Sequence, residues 1–175
     1  MKVKSAIAFG LSVLACGYAL AAAPQLSVSK SVNIDASAAK VWAATSNFNG
    51  LNTWHPAVAT DEIVEGTNNT VGAVRLLTLK GGGTIKEKLL AYNPAAHSFK
   101  YGIVEGVIPV TSYTSTFVVK SLGAGKSSVT WSGRFKRKNV GDNPGDTEND
   151  KTAVDTVNSV YQGGLDNLKK MLEAK

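Results

Sequence analysis

Residues 150–175, DKTAVDTVNSVYQGGLDNLKKMLEAK, decide the architecture, because this segment alone reads as a long amphipathic helix. Val154, Val157, Tyr161, Leu165, Leu168 and Leu172 recur at steps of three or four and draw one apolar stripe. A stripe of that length needs a cover, and most other apolar residues lie in period-two runs. The expected cover is therefore a curved antiparallel sheet folded around the helix. Gly163 and Gly164 fall at mid-length, where each costs about 1 kcal/mol relative to Ala. Either they permit close helix-to-sheet approach or a bend, or the missing side chains leave room for a ligand, which makes Gly164 a candidate site residue.

At the other end of the chain, residues 1–21 combine Lys2 and Lys4, an apolar core from Ala6 to Leu20 and the small-x-small sequence Ala19-Leu20-Ala21. This is the pattern of a secretory signal peptide cleaved after Ala21, giving a periplasmic or secreted, soluble protein. Val13-Leu14-Ala15-Cys16-Gly17 offers a lipoprotein alternative in which Cys16 becomes the lipidated N-terminus. Cys16 is the only cysteine, so ordinary processing leaves none, and disulfides, thiol nucleophiles and thiolate metal sites fall away. Residues 24–175 have the length of a single domain. Removing Lys2 and Lys4 from the 19 basic residues leaves 17 against 13 acidic ones, a mild +4 with no clustered groove of Arg and aromatics. That excludes a case for nucleic acid.

The mature region alternates over 25–35, starts a helix at 35–42 with Asp35 or Ser37 as N-cap, and continues through a turn-rich segment at 47–56 that reads as a second short helix. Six strands follow at 57–64, 72–79, 84–92, 98–105, 113–122 and 127–138, each bounded by turn residues. The class is α+β, with seven antiparallel strands, two short helices after the first strand and the long helix at the end.

Several residues on these elements resemble a family. Val32-Asn33-Ile34-Asp35-Ala36-Ser37-Ala38-Ala39-Lys40-Val41-Trp42, then Phe48, Gly50, Trp54 and Pro56, are similar to the opening of the START/polyketide-cyclase (SRPBCC) superfamily. Gly72-Ala73-Val74-Arg75, Glu87-Lys88-Leu89, Ile108-Pro109-Val110 with Tyr113, and Trp131 with Phe135 continue the resemblance over nearly the whole mature chain. It implies the helix-grip fold, with an apolar cavity between sheet and helix. The chain is also similar to the plant abscisic-acid receptors, whose proline-bearing gate loop is replaced here by Gly81-Gly82-Gly83-Thr84. A further similarity is to the family of periplasmic accessory proteins of bacterial methanol oxidation.

Strand parity selects the candidate site. Lys86 and Lys88 belong in water, so Glu87 shares the inner face with Ile85 and Leu89, where a carboxylate must be paired or protonated. Arg75 has matching parity one strand away, and the two form either a structural ion pair or a polar anchor for a ligand head group. Tyr101, Tyr113, Ser115, Phe117, Trp131 and Phe135 extend the same face. Tyr101, Tyr113 and Trp131 are pocket candidates, since a buried hydroxyl or indole N–H needs a partner. His55 is a residue of the cavity mouth or an ordinary loop histidine, and His97 is expected in solvent. The Gly125-Lys126-Ser127 run is a hairpin turn because a strand follows it, and Asp146, Glu148 and Asp150 lack the Gly and closing Glu of a calcium loop. Two histidines provide no His-rich zinc site, and no cofactor is expected. Arg134 and Lys136 face outward, where they could dock an acidic protein partner.

Three functions fit: binding of a small apolar or amphipathic ligand in the cavity, cyclase- or dehydrase-type catalysis using Glu87, Arg75 or His55, and docking of an electron-transfer partner.

Overall fold

In the computed structural model, which describes residues 23–174, the elements run β1 (Leu26–Ile34), α1 (Ala38–Thr45), a 3-10 helix (Phe48–Thr53), β2 (Val58–Glu65), β3 (Val74–Leu79), β4 (Thr84–Asn93), β5 (Ser98–Gly106), β6 (Val110–Gly123), β7 (Lys126–Arg137) and α2 (Asp150–Glu173). All seven strands form one antiparallel sheet in the order β1-β7-β6-β5-β4-β3-β2, so the chain returns to pair its first strand with its last. The sheet curls around α2 in the helix-grip arrangement. Residues 1–21, with the export signal and Cys16, lie outside the described part. No described helix is long and apolar enough to cross a membrane.

Local chemistry sets the helix ends. Ser37, not Asp35, caps α1 by accepting from the Lys40 N–H, and Asn149 caps α2 by accepting from the Thr152 N–H. Asp150 in the first turn of α2 and Lys170 in the last complement the helix dipole. Arg137 donates to Asp150 at 2.9 Å and to the Asn139 and Gly141 carbonyls, fastening the start of α2 to the end of β7. The stripe of α2 is buried as Ala153, Val157, Tyr161, Gly164, Leu165 and Leu168, with Val154 and Leu172 half-covered at its margins, and packs chiefly on β1 and β7.

Three local features refine the fold. Residues 48–53 form a tight 3-10 turn kinked at Asn49, because Asn47 caps the segment two residues in and Gly50 carries no side chain to hold a full α-turn. β6 begins at Val110, earlier than its alternation indicates, because Ser112 sits at φ +50° in a bulge that breaks the parity. Helix α2 passes through Gly163-Gly164 without a break.

The bulge accompanies a fork in the sheet. β5 and β6 pair from Ser98↔Val118 to Gly102↔Thr114 and then separate. Beyond that point β5 stays on β4 through Gly106, while Val110 and Thr111 stay on β7. The fork opens an outer groove of about 410 Å³ bordered by Ile103, Val104 and Tyr113.

Candidate functional site

The inward residues of β2 to β7, the 3-10 segment with His55 and one face of α2 enclose a cavity of about 80 Å³. Leu51, Val58, Leu77, Ile85, Ile103 and Val160 give it an apolar wall, and Glu87, Tyr101, Tyr113, His55 and Trp131 supply its polar points. Ile103 and Tyr113 also border the outer groove, so cavity and groove share a wall at the fork between β5 and β6.

Glu87 and Arg75 are directly opposed across β4 and β3, and both are buried. Arg75 donates from Nε at 2.9 Å and from Nη2 at 2.6 Å, both to Oε2 of Glu87. Its Nη1 donates to the Phe48 carbonyl at 2.5 Å and to Asp61 Oδ2 at 3.3 Å. The guanidinium carbon lies 4.2 Å from the Phe48 ring centre and 5.4 Å from that of Tyr101, a cation–π arrangement. Arg75 is thus a filled pillar beside the cavity and does not line it. Glu87 does, because Oε1 accepts no hydrogen bond among the described residues and borders the open space.

Asp61 is the member that alternation does not reveal. In β2, Val58 and Asp61 both point inward although three residues apart, because an irregularity between Val58 and Thr60 shifts the register by one. Asp61 Oδ2 also accepts the Leu51 N–H at 2.8 Å, and Oδ1 is buried without a partner. Two carboxyls around one guanidinium leave an excess of negative charge. Burial raises both acids above the usual carboxylate range in spite of Arg75, whereas Glu87 and Asp61 together raise Arg75 against the effect of its own burial.

The second polar cluster is neutral. Ser115 donates to the Ser132 carbonyl at 2.9 Å, so its oxygen accepts from Tyr161 at 2.9 Å and from the Trp131 indole at 3.0 Å. With its proton spent on Ser115, Tyr161 accepts from Tyr113 at 2.5 Å. The Tyr101 oxygen shares the same Trp131 indole N–H, at 2.9 Å, while its own proton has only Tyr113 at 3.5 Å, the limit of a hydrogen bond. Tyr161 stacks on Trp131 with ring centres 4.6 Å apart. Burial lifts Tyr101 and Tyr113 well above 10 and pushes Tyr161 up to about 12, so all three phenols keep their protons. Gly133 is the reason the chain can form: any side chain there would collide with the Tyr161 hydroxyl. Parity placed Ser115 inward and helical spacing placed Tyr161 on the stripe. Their pairing depends on which strand of the sheet the helix crosses, which neither periodicity records.

His55 is buried, not a solvent-facing loop residue. The Ala57 N–H donates to Nδ1 at 3.2 Å, which leaves Nε2–H to donate to the Val160 carbonyl of α2 at 3.0 Å. Burial lowers its pKa, the Val160 bond opposes that, and Arg75 lowers it further. Gly164 lies against His55 and Trp131 and not against the cavity: an added Cβ would come 2.6 Å from His55 Cδ2 and 2.9 Å from Trp131 Cζ3. Its missing side chain makes room for protein atoms. His97 is half-buried, stacked on Trp42 at 5.5 Å, so the expectation of a solvated ring is corrected. Arg134 faces outward as its parity indicates, and with Lys100 it flanks a polar hollow of about 470 Å³ on the outer sheet face.

Among solved structures, the chain is similar to the protein XoxI from Bacillus cereus, at 30% identity over 85% of this chain and 96% of that one, with a TM-score of 0.73. It shares the fold of Ara h 8.0201, at 21% identity over 87% and 100% of the two chains and a TM-score of 0.69. It also shares the fold of the ZhuI aromatase/cyclase from Streptomyces sp. R1128, at 18% identity over 86% and 94% and a TM-score of 0.67. No curated protein matches it. The family model for polyketide cyclase/dehydrase and lipid transport matches residues 25–173, and the chain, with its helix-grip sheet and central α2, belongs to that family.

Proposed function

We propose that this protein binds a small apolar or amphipathic ligand in the cavity between the sheet and α2, and that it does so as an exported, periplasmic or secreted protein. The observation that carries the binding reading is an apolar cavity of about 80 Å³ into which one unbonded carboxylate oxygen, Oε1 of Glu87, projects. A mostly apolar enclosure with few polar points is the usual form of a small-molecule site. An occupant held wholly inside has only a few heavy atoms, and a longer tail would have to displace the Ile103 and Tyr113 side chains that separate the cavity from the outer groove. Xenon, which occupies dry apolar cavities, tests the reading: in a heteronuclear NMR titration it should shift Leu77, Ile85 and Ile103 selectively. A uniform response with no cluster there would overturn it.

Export rests on residues 1–21 and is tested by the intact mass of the protein recovered from its own host. A chain beginning at Ala22 is expected, and a lipidated Cys16 would replace it with membrane anchoring. Docking of an acidic protein is the second reading, favoured by Lys100 and Arg134 beside the outer polar hollow. It requires partner binding that weakens steeply with salt and on Arg134→Ala.

A further inference from the structure

We infer that the cavity is matched to a neutral hydroxyl head group, one that donates to Oε1 of Glu87 and accepts from the hydroxyl of Tyr101. The inference deepens the ligand-binding reading above and rests on it.

Two counts of protons lead there. On the ionic side, Arg75 spends two N–H groups on Oε2 of Glu87 and directs Nη1 to Phe48 and Asp61. No cation therefore faces the cavity, and the acceptor left over is Oε1. On the hydroxyl side, the Ser132 carbonyl sets the direction of the whole chain: Ser115 donates to it, Tyr161 donates to Ser115, and Tyr113 donates to Tyr161. Each of those protons is spent. The proton of Tyr101 has only a 3.5 Å contact, and Tyr101 lines the cavity. Leu89 is the register partner of Tyr101, and Glu87 lies two residues from Leu89 on the same strand face, so Glu87 and Tyr101 are diagonal neighbours. The enclosed space presents one acceptor and one donor side by side.

Matching that pair selects among head groups by arithmetic. A hydroxyl has one proton to give and lone pairs to receive, so it satisfies both. A ketone or ester leaves Glu87 unpaired. An ammonium group answers the excess negative charge, but it has three donors to place and cannot accept from Tyr101, and buried unpaired donors are costly. A carboxylate finds Oε1 of Glu87 and no free cation, and the surrounding cluster already holds Asp61 and Glu87 against Arg75 alone. The volume limits the hydroxyl-bearing part to a few heavy atoms.

Four probes of one shape and heavy-atom count separate these cases: 2-propanol, acetone, isopropylammonium and acetate, each titrated into the purified chain by heteronuclear NMR alongside xenon. The expected result is saturable binding of 2-propanol in the cavity, about tenfold tighter than each of the other three. In Tyr101→Phe the advantage over isopropylammonium should shrink about tenfold while xenon binding holds. Glu87→Gln gives a sharper sign. Arg75 requires an oxygen opposite its two N–H groups, so the amide must turn its NH2 toward the cavity, and acetone should overtake 2-propanol. If xenon binds and the four probes bind alike, or acetate or isopropylammonium binds best, the hydroxyl inference is overturned and the binding reading survives. If xenon also fails to reach the cavity, both fall. The wild-type series decides even if a variant does not fold.

Discussion

Two buried polar clusters border the cavity, and they hold together by different means. Asp61, Arg75 and Glu87 form an ionic cluster with one more negative than positive group, supported by the Phe48 carbonyl and ring. Tyr113, Tyr161, Ser115 and Trp131 form a neutral chain whose donors are used up in one direction, ending at the Ser132 carbonyl. The first depends on charge balance and so on pH. The second depends on shape, and above all on Gly133 leaving space for the Tyr161 hydroxyl. The difference bears on the proposed binding: a saturated network positions a wall, whereas the ionic cluster keeps one carboxylate oxygen unbonded among the described residues.

The largest expected effect is loss of the single cation. Arg75→Met strands two buried carboxyls and should cost about 3–5 kcal/mol at neutral pH. The loss should diminish in acid, because both carboxyls are raised in the fold and protonation relieves them. Glu87→Gln should cost distinctly less, since Asp61 and the Phe48 carbonyl still hold Arg75. Denaturant melts of the two variants at pH 5 and 7.5 make the comparison. Equal costs for both would mean that Asp61 does not share the charge.

Tyr161→Phe attacks the other cluster. It takes the acceptor from the Tyr113 proton and one of its two incoming hydrogen bonds from Ser115, at a cost of about 1–3 kcal/mol. Burial raises all three phenols above their ordinary value, Tyr161 to about 12, so this loss should be constant from pH 5 to 9. A loss that varied with pH over that range would join the two clusters into one electrostatic unit.

The adjacent glycines of α2 give a smaller, opposite pair. An added Cβ at Gly163 meets nothing within 4 Å, whereas at Gly164 it meets His55 and Trp131. Gly163→Ala should therefore raise stability by about 1 kcal/mol, the helix penalty removed. Gly164→Ala should lower it by about 1–3 kcal/mol through overpacking, with the shift recorded at the Trp131 indole. Stabilisation by both would require a looser seat of α2 on Trp131 than the hydroxyl chain permits.

Much of this was legible in the chain itself. The stripe of residues 150–175, the order of elements and the inward parity of Arg75, Glu87, Tyr101, Tyr113 and Trp131 follow from periods of 3.6 and 2. Each case that escaped had a local cause. Asp61 was hidden by the register shift in β2, and the early start of β6 by the left-handed Ser112. The roles of Arg75 and Gly164 were hidden for a different reason. Parity gives the face on which a residue lies, but whether it meets open space or another side chain depends on what crosses that face. Phe48 and Asp61 fill the surroundings of Arg75, and His55 fills the notch of Gly164.

His55 meets the neutral cluster at Trp131 and feels the charge of the ionic one, which makes its titration the finest probe of their difference. Its ring meets Trp131 edge-on at 5.9 Å between centres, and Arg75 adds to the effect of burial in lowering its pKa. An ordinary histidine titrates near 6.5. As pH falls from there toward the lowered value in the fold, the unfolded chain takes up a proton that the folded chain refuses, so stability declines, with a slope of at most about 1.4 kcal/mol per pH unit. Glu87 and Asp61 act in the other sense. Their raised values make the folded chain the better proton acceptor from about pH 4 upward to those values, so their contribution grows as pH falls through that window. In the wild type the two trends oppose each other in mildly acidic solution. His55→Gln retains an amide donor for the Val160 carbonyl and removes the titration, so as pH falls from 6.5 to 5 its stability should decline less, or rise more, than that of the wild type. Melts of the two proteins across that range measure it. An unchanged decline in the variant would assign the proton to another group and leave His55 as a plain hydrogen-bonded brace between α2 and the segment before β2.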